Sequence, residues 1–590
     1  MSLTARFHFL LVLVAVLVPA ALSPCAGWSQ VYAGRPKLIV IVVIDQFRGD
    51  YLNRDESEFK GHGFNLFLKD GAWFTDCYYN YANLKTAPGH ATIGTGAYTD
   101  GHGIDSNEWW DASRSFDTAV SSVEDERYQL VDLPSTSIPA NQPGAPEWAA
   151  KFVVGASPLN LRATTLGDEL RLATQGRSRV FGVSLKDRAA ILPAGQTANA
   201  AYWIDPSSGQ FTTSTYYMEH LPKWAQDFDS GGRIAQAEHE ANVDTSTMEF
   251  YDLVGWTPAA NSYELDFAKA LITGEKLGQN GTTDLLVVSL SANDIQGHMF
   301  GPDSDSEEKM ILGLDHDLDA FDTWLDQTIG LKNVWLALTA DHGIAPVPGE
   351  AAKLGVNAVA IDQNKVYLDV NEELIKRFGK GQKMSFLLPD PNLPNPAYDL
   401  PYIVLDQRAF KKVGVDEKTA EDAVAELLKK AVASQNPNPP PEIHLVPPTV
   451  FHPSQQRLPP APRVEYVYTR QQLQSGQLPP SEWGKVLAHS VTDHGNWYVM
   501  MVLDAYQLGG SGQFAGTNHF TPWNYDRHVP LAFYGAPFKP GEYHEAVEPV
   551  DLAVTFASLA GVNRPSAAVG RVLVEALEPQ VRAASPDGQK

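Results

Sequence analysis

The most conspicuous pattern along the chain is a set of short, uninterrupted apolar runs. Leu38–Ile44 is the first; others cover 180–185, 285–290, 334–338, 498–503 and 529–534. Runs of this length, rich in β-branched residues and free of alternation, predict strands buried on both faces, as in a sheet covered by helices. Helical periodicity lies between them, for example over 307–329 and 551–559. Strands alternating with helices predict an α/β fold with a mostly parallel central sheet flanked by helices. Three stretches break the pattern and read as insertions capping one edge of that sheet: about 110–175, 195–280 and 350–485. The last holds weaker strand patterns at 401–405 and 464–468 and a helix over 416–433. Its proline-dense tract from Asn436 to Pro462 reads as an extended surface segment. The catalytic region then spans 37–545, and 546–590 forms a C-terminal helix and tail.

The residues just beyond these strands carry more information than the strands themselves. Asp45 ends the first run, and Lys186-Asp187-Arg188 the second. Asn293-Asp294 comes after the third and Asp341-His342 after the fourth. In open α/β sheets, ligands bind outside the carboxyl ends of the strands. A single aspartate after a strand is ordinarily a turn or a helix cap. Four such endings on separate strands point to one shared site.

Composition narrows the chemistry. The 590 residues are 44% hydrophobic, enough to fill a core and to exclude a disordered tail or a collagen-like rod. A net charge of −25 argues against sequence-independent binding of nucleic acid. Cys25 and Cys77 are the 2 cysteines, so zinc fingers, iron–sulfur clusters and a disulfide framework are excluded. A metal must be held by His, Asp, Glu or hydroxyl groups. At the start, Arg6, an apolar stretch over 9–18, Pro19 and small residues read as an export signal within residues 1–30. This predicts a periplasmic or secreted mature protein. Cys25 stands near where a lipid-modified cysteine would, although Pro24 before it is a poor match. No other stretch is long and apolar enough to span a membrane.

Asp294-x-x-x-His298 puts two ligands one helical turn apart. Asp341-His342-Gly343 offers a carboxylate and an imidazole in one loop. Asp45 adds a carboxylate, and His519 in Gly516-Thr-Asn-His519 an imidazole. Imidazole plus carboxylate without thiolate suits catalytic Zn²⁺. Three aspartates and three histidines suffice for two ions, which at roughly 4 Å apart can stabilise both the attacking and the leaving oxygen of an in-line displacement. In Lys85-Thr86-Ala-Pro88-Gly-His90, Pro88 fits a first helical turn. Thr86 is then either an N-cap or a nucleophile at a helix N-terminus that favours anions. His90 reads as structural.

Together these segments, with Asn107 in Gly103-Ile-Asp-Ser-Asn107-Glu-Trp-Trp, resemble the alkaline phosphatase superfamily. Lys186-Asp-Arg188 within Val183-Ser-Leu-Lys186-Asp-Arg188-Ala-Ala-Ile-Leu-Pro-Ala-Gly195 resembles its PafA-type, calcium-independent branch, which uses a threonine nucleophile. The resemblance implies a two-zinc phosphatase. Asp294, His298 and His519 would hold one zinc, Asp45, Asp341 and His342 the other, with Thr86 a further ligand. Thr86 would form a phosphothreonine that water then hydrolyses. Asn107, Lys186 and Arg188 would contact the non-bridging phosphoryl oxygens. In the family the counterpart of His519 is usually followed by glycine, whereas Phe520 stands after it here; His494 in Asp493-His494-Gly495 is the rival ligand.

The basic pair Lys186 and Arg188 favours small-molecule phosphate monoesters as substrates, because a monoester dianion offers more charged oxygens than a diester. The plainer reading of the pair is a surface salt bridge with Asp187. A nucleotide pyrophosphatase or phosphodiesterase shares the same ligands and threonine and is the alternative enzyme. A catalytically inactive binding protein of the same fold is the alternative from another class. A sulfatase wants C/S-x-P-x-R, and a cofactor-independent mutase a serine nucleophile, so both are disfavoured. Oligomeric state stays open.

Overall fold

A computed structural model describes residues 34–579 apart from 55, 111–118, 134–154, 243–248, 383, 394–397, 399, 436–460, 477, 479–480, 493–494 and 511–515. The export signal, the proline-dense tract up to residue 460 and His494 therefore lie outside the described residues. In chain order the strands used below are β1 (Leu38–Ile44), β2 (Ala72–Phe74), β3 (Val180–Ser184), β4 (Ala200–Ile204), β5 (Phe211–Thr212), β6 (Asp284–Leu290), β7 (Val334–Thr339), β8 (Leu387–Leu388), β9 (Tyr402–Leu405), β10 (Val464–Thr469), β11 (Trp497–Leu503), β12 (Leu531–Tyr534) and β13 (Gly541–Tyr543). Among the helices are α1 (Thr86–Thr95), α2 (Asp187–Ala194), α3 (Pro258–Gly274), α4 (Ala292–Phe300), α5 (Asp305–Thr328), α6 (Gln363–Phe378), α7 (Glu417–Ala433) and α8 (Val550–Ala560).

Nine strands form the central sheet in the order β13-β2-β12-β7-β1-β6-β3-β4-β5. The four runs with charged endings are thus neighbours, β7-β1-β6-β3, and all three pairings among them are parallel. Their register brings the ends level: Val43 faces Thr339, Ile44 faces Leu290, and Ser289 faces Ser184. Asp45, Lys186, Asn293-Asp294 and Asp341-His342 consequently leave the sheet at one edge. All seven residues of β1 are buried, as an unbroken apolar run requires. β12 runs antiparallel to β7 and to β2, so the sheet is mixed but mostly parallel.

Two features differ from the sequence reading. The run at 498–503 is not a central-sheet strand. It forms β11 in a separate antiparallel sheet of order β8-β9-β11-β10. Its lack of alternation has a local cause, since both faces are covered. Trp497, Val499, Met501 and Leu503 pack into the core under α6 and α7, while Tyr498, Met500 and Val502 pack with Tyr468, Leu473 and Trp483. Secondly, β4 and β5 fall inside 195–280 and complete one side of the central sheet. β4 is short and alanine-rich, so its apolar signal is weak.

The core contains its own clamp on the strand ends. Glu264 of α3 is fully buried, and its Oε1 accepts the Leu185 N–H at 2.6 Å just beyond β3. Burial holds its carboxyl well above the usual range, with the backbone hydrogen bond from Leu185 opposing the rise. One side chain from the core thereby pins the turn that carries Lys186.

Because β11 is buried on both faces, Met500→Asp and Met501→Asp should each destabilise the protein by several kcal/mol, since an unpaired charge is buried either way. Thermal unfolding checks this. A strand with one solvated face would tolerate one of the two.

Candidate active site

The site is assembled at the carboxyl edge of β7, β1, β6 and β3. Asp45, Asp341 and His342 converge so that one donor atom from each lies within 4.8 Å of the others. His342 Nε2 stands 3.5 Å from both Asp45 Oδ1 and Asp341 Oδ2. These three buried atoms have no hydrogen-bond partner among the described residues. A second group, Asp294, His342 and His519, meets the same distance criterion. His298 adjoins it, with Nε2 3.2 Å from Asp294 Oδ1, and His519 Nε2 lies 3.8 Å from the same oxygen. The structure therefore brings all six candidates together, with His342 stacked on His519 at 3.7 Å and central to both groups.

Backbone carbonyls set the imidazole tautomers. His298 Nδ1 faces the Thr517 carbonyl at 3.0 Å, His342 Nδ1 the Gly343 carbonyl at 3.0 Å, and His519 Nδ1 the Leu84 carbonyl at 2.5 Å. A carbonyl only accepts, so each Nδ1 carries the proton and each Nε2 keeps its lone pair for the site. Burial lowers His342 to about 4, against the pull of Asp45 and Asp294. Burial, His342 and His298 push His519 well below the usual imidazole value. His298 is raised instead: burial lowers it, but Asp294 outweighs that. For Asp45, burial first and then Asp294 and Asp341 raise the carboxyl to about 7. Burial acts on Asp294 in the same direction, but Lys186 and His298 hold it well below the ordinary range. The unprotonated His342 Nε2 facing the orphaned, buried Asp45 Oδ1 and Asp341 Oδ2 is what a divalent cation needs, and this donor set fits one.

Thr86 is the first residue of α1, with Lys85 as N-cap and no side-chain cap bond, so the N-cap reading of Thr86 does not hold. The helix start is capped from a distance: Asn107 Oδ1 accepts the Ala87 N–H at 2.8 Å. This leaves the Asn107 amide NH₂ for another acceptor. The first turn of α1 lies flush against the Asp341 loop. A Cβ on Gly89 would come within 2.3 Å of the Asp341 carbonyl oxygen, so only glycine allows that approach. His90, read as structural, joins the two: its Nδ1 donates to the Thr86 carbonyl at 2.8 Å and lies 3.3 Å from Asp341 Oδ2.

The basic pair is split. Lys186 is buried, with Nζ donating at 2.6 Å to Asp45 Oδ2 and at 2.6 Å to Asp294 Oδ2. Burial alone would lower its pKa, but Asp294 and Asp45 raise it, so the ammonium stays charged. Arg188 is part-exposed at the start of α2, with Nη1 3.6 Å from Asp187 Oδ1 and its buried Nε without a partner among the described residues. The salt bridge to Asp187 is thus long and leaves donors unused.

The model for type I phosphodiesterases / nucleotide pyrophosphatases matches residues 39–463. The chain belongs to this family. Within it, the chain is 32% identical over 582 residues to alkaline phosphatase PhoV of Synechococcus elongatus, covering 92% of this chain and 93% of that protein. It is likewise 32% identical to alkaline phosphatase PafA of Elizabethkingia meningoseptica, over 92% of this chain and 95% of that one. The crystal structure of wild-type PafA superposes with a TM-score of 0.75 at 29% identity, covering 92% of this chain and 99% of PafA. The resemblance to PafA-type alkaline phosphatases holds along nearly the whole chain, and with it the alkaline phosphatase-like fold.

The departure from the family pattern at Phe520 has a backbone consequence. Phe520 adopts φ 91°, a conformation in which glycine is at ease and a phenylalanine is strained. Its ring is held by stacking on Tyr402 at 4.9 Å and by the Lys85 ammonium at 4.1 Å. Sequence reasoning had no signal for Gln46, Glu264 or the Phe520 contacts, because each acts through partners remote in the chain.

The donor set predicts that chelation destabilises the fold. Dialysis against a chelator should lower the thermal midpoint, and a divalent cation at about 1,000 times its Kd should return about 4 kcal/mol. A midpoint indifferent to both treatments contradicts a metal site.

Proposed function

We propose that the chain is an exported phosphatase that uses two zinc ions and Thr86 to hydrolyse phosphate monoesters through a phosphothreonine. The observation that carries this reading is the trio of orphaned donor atoms on Asp45, Asp341 and His342, set against the first turn of the helix that Thr86 begins. The names of the PhoV and PafA relatives support the phosphatase activity. Arg6 and the apolar stretch behind it support export.

Asp45, Asp341 and His342 would hold one ion. Asp294, His298 and His519 would hold the other, with His342 close to both. Bound divalent ions supply Lewis acidity, which lowers the pKa of an adjacent hydroxyl and offsets charge on phosphoryl oxygens. The chain's own residues do the rest. Thr86 Oγ would attack phosphorus, the P–O bond to the leaving group would break, the proton given up by Thr86 would in net balance go to the departing oxygen to release the alcohol, and the phosphoryl group would be carried as an ester of Thr86. Water then attacks the same phosphorus, and Thr86 leaves with its proton restored. The backbone N–H groups at the start of α1 favour the anionic group. Asn107, fixed through its oxygen, turns its NH₂ to a phosphoryl oxygen. Lys186 has three donors, two of them engaged by Asp45 and Asp294, and the third serves the substrate. Arg188 offers the buried Nε left without a partner.

This arrangement favours monoesters. Stabilising charge on the equatorial oxygens is the main work available in a loose phosphoryl-transfer transition state. A second organic group on the phosphate would displace one oxygen from Lys186 or Arg188. The family description makes a nucleotide pyrophosphatase or phosphodiesterase the second reading, and the two make opposite predictions.

With 4-nitrophenyl phosphate and its bis ester as substrates, the monoester should be hydrolysed with the higher kcat/KM; a preference for the diester overturns the reading. Thr86→Ala should lower kcat by several orders of magnitude, as loss of a nucleophile does elsewhere. Arg188→Ala should cost the monoester about 10²–10³-fold and the diester much less. Equal losses on both substrates would remove Arg188 from the recognition of charge.

A further inference from the structure

Gln46 touches both donor groups from a single position. It comes directly after Asp45 and is 1% exposed. Its backbone N–H donates to Asp341 Oδ1 at 3.0 Å, and its side-chain Nε2 donates to Asp294 Oδ1 at 2.6 Å. Those partners are 295 and 248 residues away in the chain. The conformation needed is costly, because Gln46 has φ 66°, in the left-handed region where a non-glycine residue is uncommon. Space for the side chain comes from Gly297, which lies on α4 between Asp294 and His298. A Cβ on Gly297 would sit 1.9 Å from Gln46 Oε1. A left-handed glutamine, a glycine opposite it and two hydrogen bonds to carboxylates from different groups form one device.

We propose that Gln46 is a positioning residue that holds Asp294 and Asp341 at a fixed separation, and so sets the two metal positions relative to each other. This rests on the two-metal reading above. The hydrogen bond from the amide takes up one lone pair of Asp294 Oδ1 and orients the carboxylate. The backbone N–H does the same for Asp341. Because the two contacts come from different parts of the residue, they separate by mutation. Replacing the side chain releases Asp294 and leaves Asp341 held. Gln46→Met removes the donor without adding charge, and Gln46→Gly does so while relieving the left-handed backbone. Gly297→Ala displaces the glutamine without altering any ligand.

The test is metal retention by the purified full chain, loaded with zinc and dialysed against graded chelator, with bound metal measured by elemental analysis. Wild type should retain two ions per chain. Gln46→Met, Gln46→Gly and Gly297→Ala should each lose one ion at about 10–100-fold lower chelator strength and keep the other at the wild-type level. Metal-free Gln46→Gly should match the thermal midpoint of the metal-free wild type. Gly297→Ala added to Gln46→Gly should weaken retention no further, since the group it displaces is gone. Wild-type retention of both ions in all variants overturns the positioning role. Equal weakening of both ions, with a fall in the metal-free midpoint, also overturns it and reduces Gln46 to a packing residue. Fewer than two ions in the wild type defeats the two-metal reading itself, which the variants alone do not touch.

Discussion

Three carboxylates that share one buried pocket cannot all keep their charge unless positive charge is supplied among them. Asp45, Asp294 and Asp341 are in that position at the edge of the central sheet, and burial first, then Asp294 and Asp341, raises the Asp45 carboxyl to about 7. Lys186 answers part of the demand by lying between Asp45 and Asp294. His342 leaves the rest of the demand unmet, because burial keeps it neutral and therefore able to donate a lone pair to a cation rather than a charge of its own. A cluster built in this way is unstable as a set of side chains and stable as a cation-binding site. Much of the surrounding structure holds that cluster in place: parallel strands that end level, Glu264 pinning the turn before Lys186, and backbone carbonyls fixing three imidazoles.

The same demand accounts for local conformations that would otherwise be costly. Gln46 and Phe520 each come directly after a metal-ligand candidate and each takes a positive φ. Such residues cost on the order of 1–3 kcal/mol and persist where the surroundings over-determine them. In both cases the side chain is tied down, Gln46 by Asp294 and Phe520 by Tyr402 and Lys85. The chain turns sharply after the ligand, which aims the ligand inward and sends the next residue back into packing.

The central sheet and the clustering of candidate donors were legible in the sequence for one reason: both leave local signatures. An unbroken apolar run marks a strand covered on two sides, and a charged residue at its end marks the edge where such sheets bind ligands. The limit of that inference shows at β11, whose residues 498–503 read as central sheet. Two-sided burial also arises in a small antiparallel sheet packed between two cores, and the pattern does not distinguish them. β4 and β5 were illegible because they are short and lie in a region of mixed composition. The grouping of ligands was only half legible. Asp45, Asp341 and His342 form the group expected, but in the other the mutually close trio is Asp294, His342 and His519, with His298 beside it. Which histidine stands between two groups depends on side-chain directions after the turn, and spacing carries none of that. Thr86 was legible as the start of a helix, whereas its distant cap by Asn107 was not.

The proposed function requires these donors to bind two cations beside Thr86. Anomalous diffraction at the zinc absorption edge, from crystals of the full chain grown with zinc, tests it most directly. Two strong peaks are expected, one among Asp45, Asp341 and His342 and one among Asp294, His298 and His519, with the Thr86 hydroxyl next to them. A single peak, or peaks away from these side chains, would contradict it.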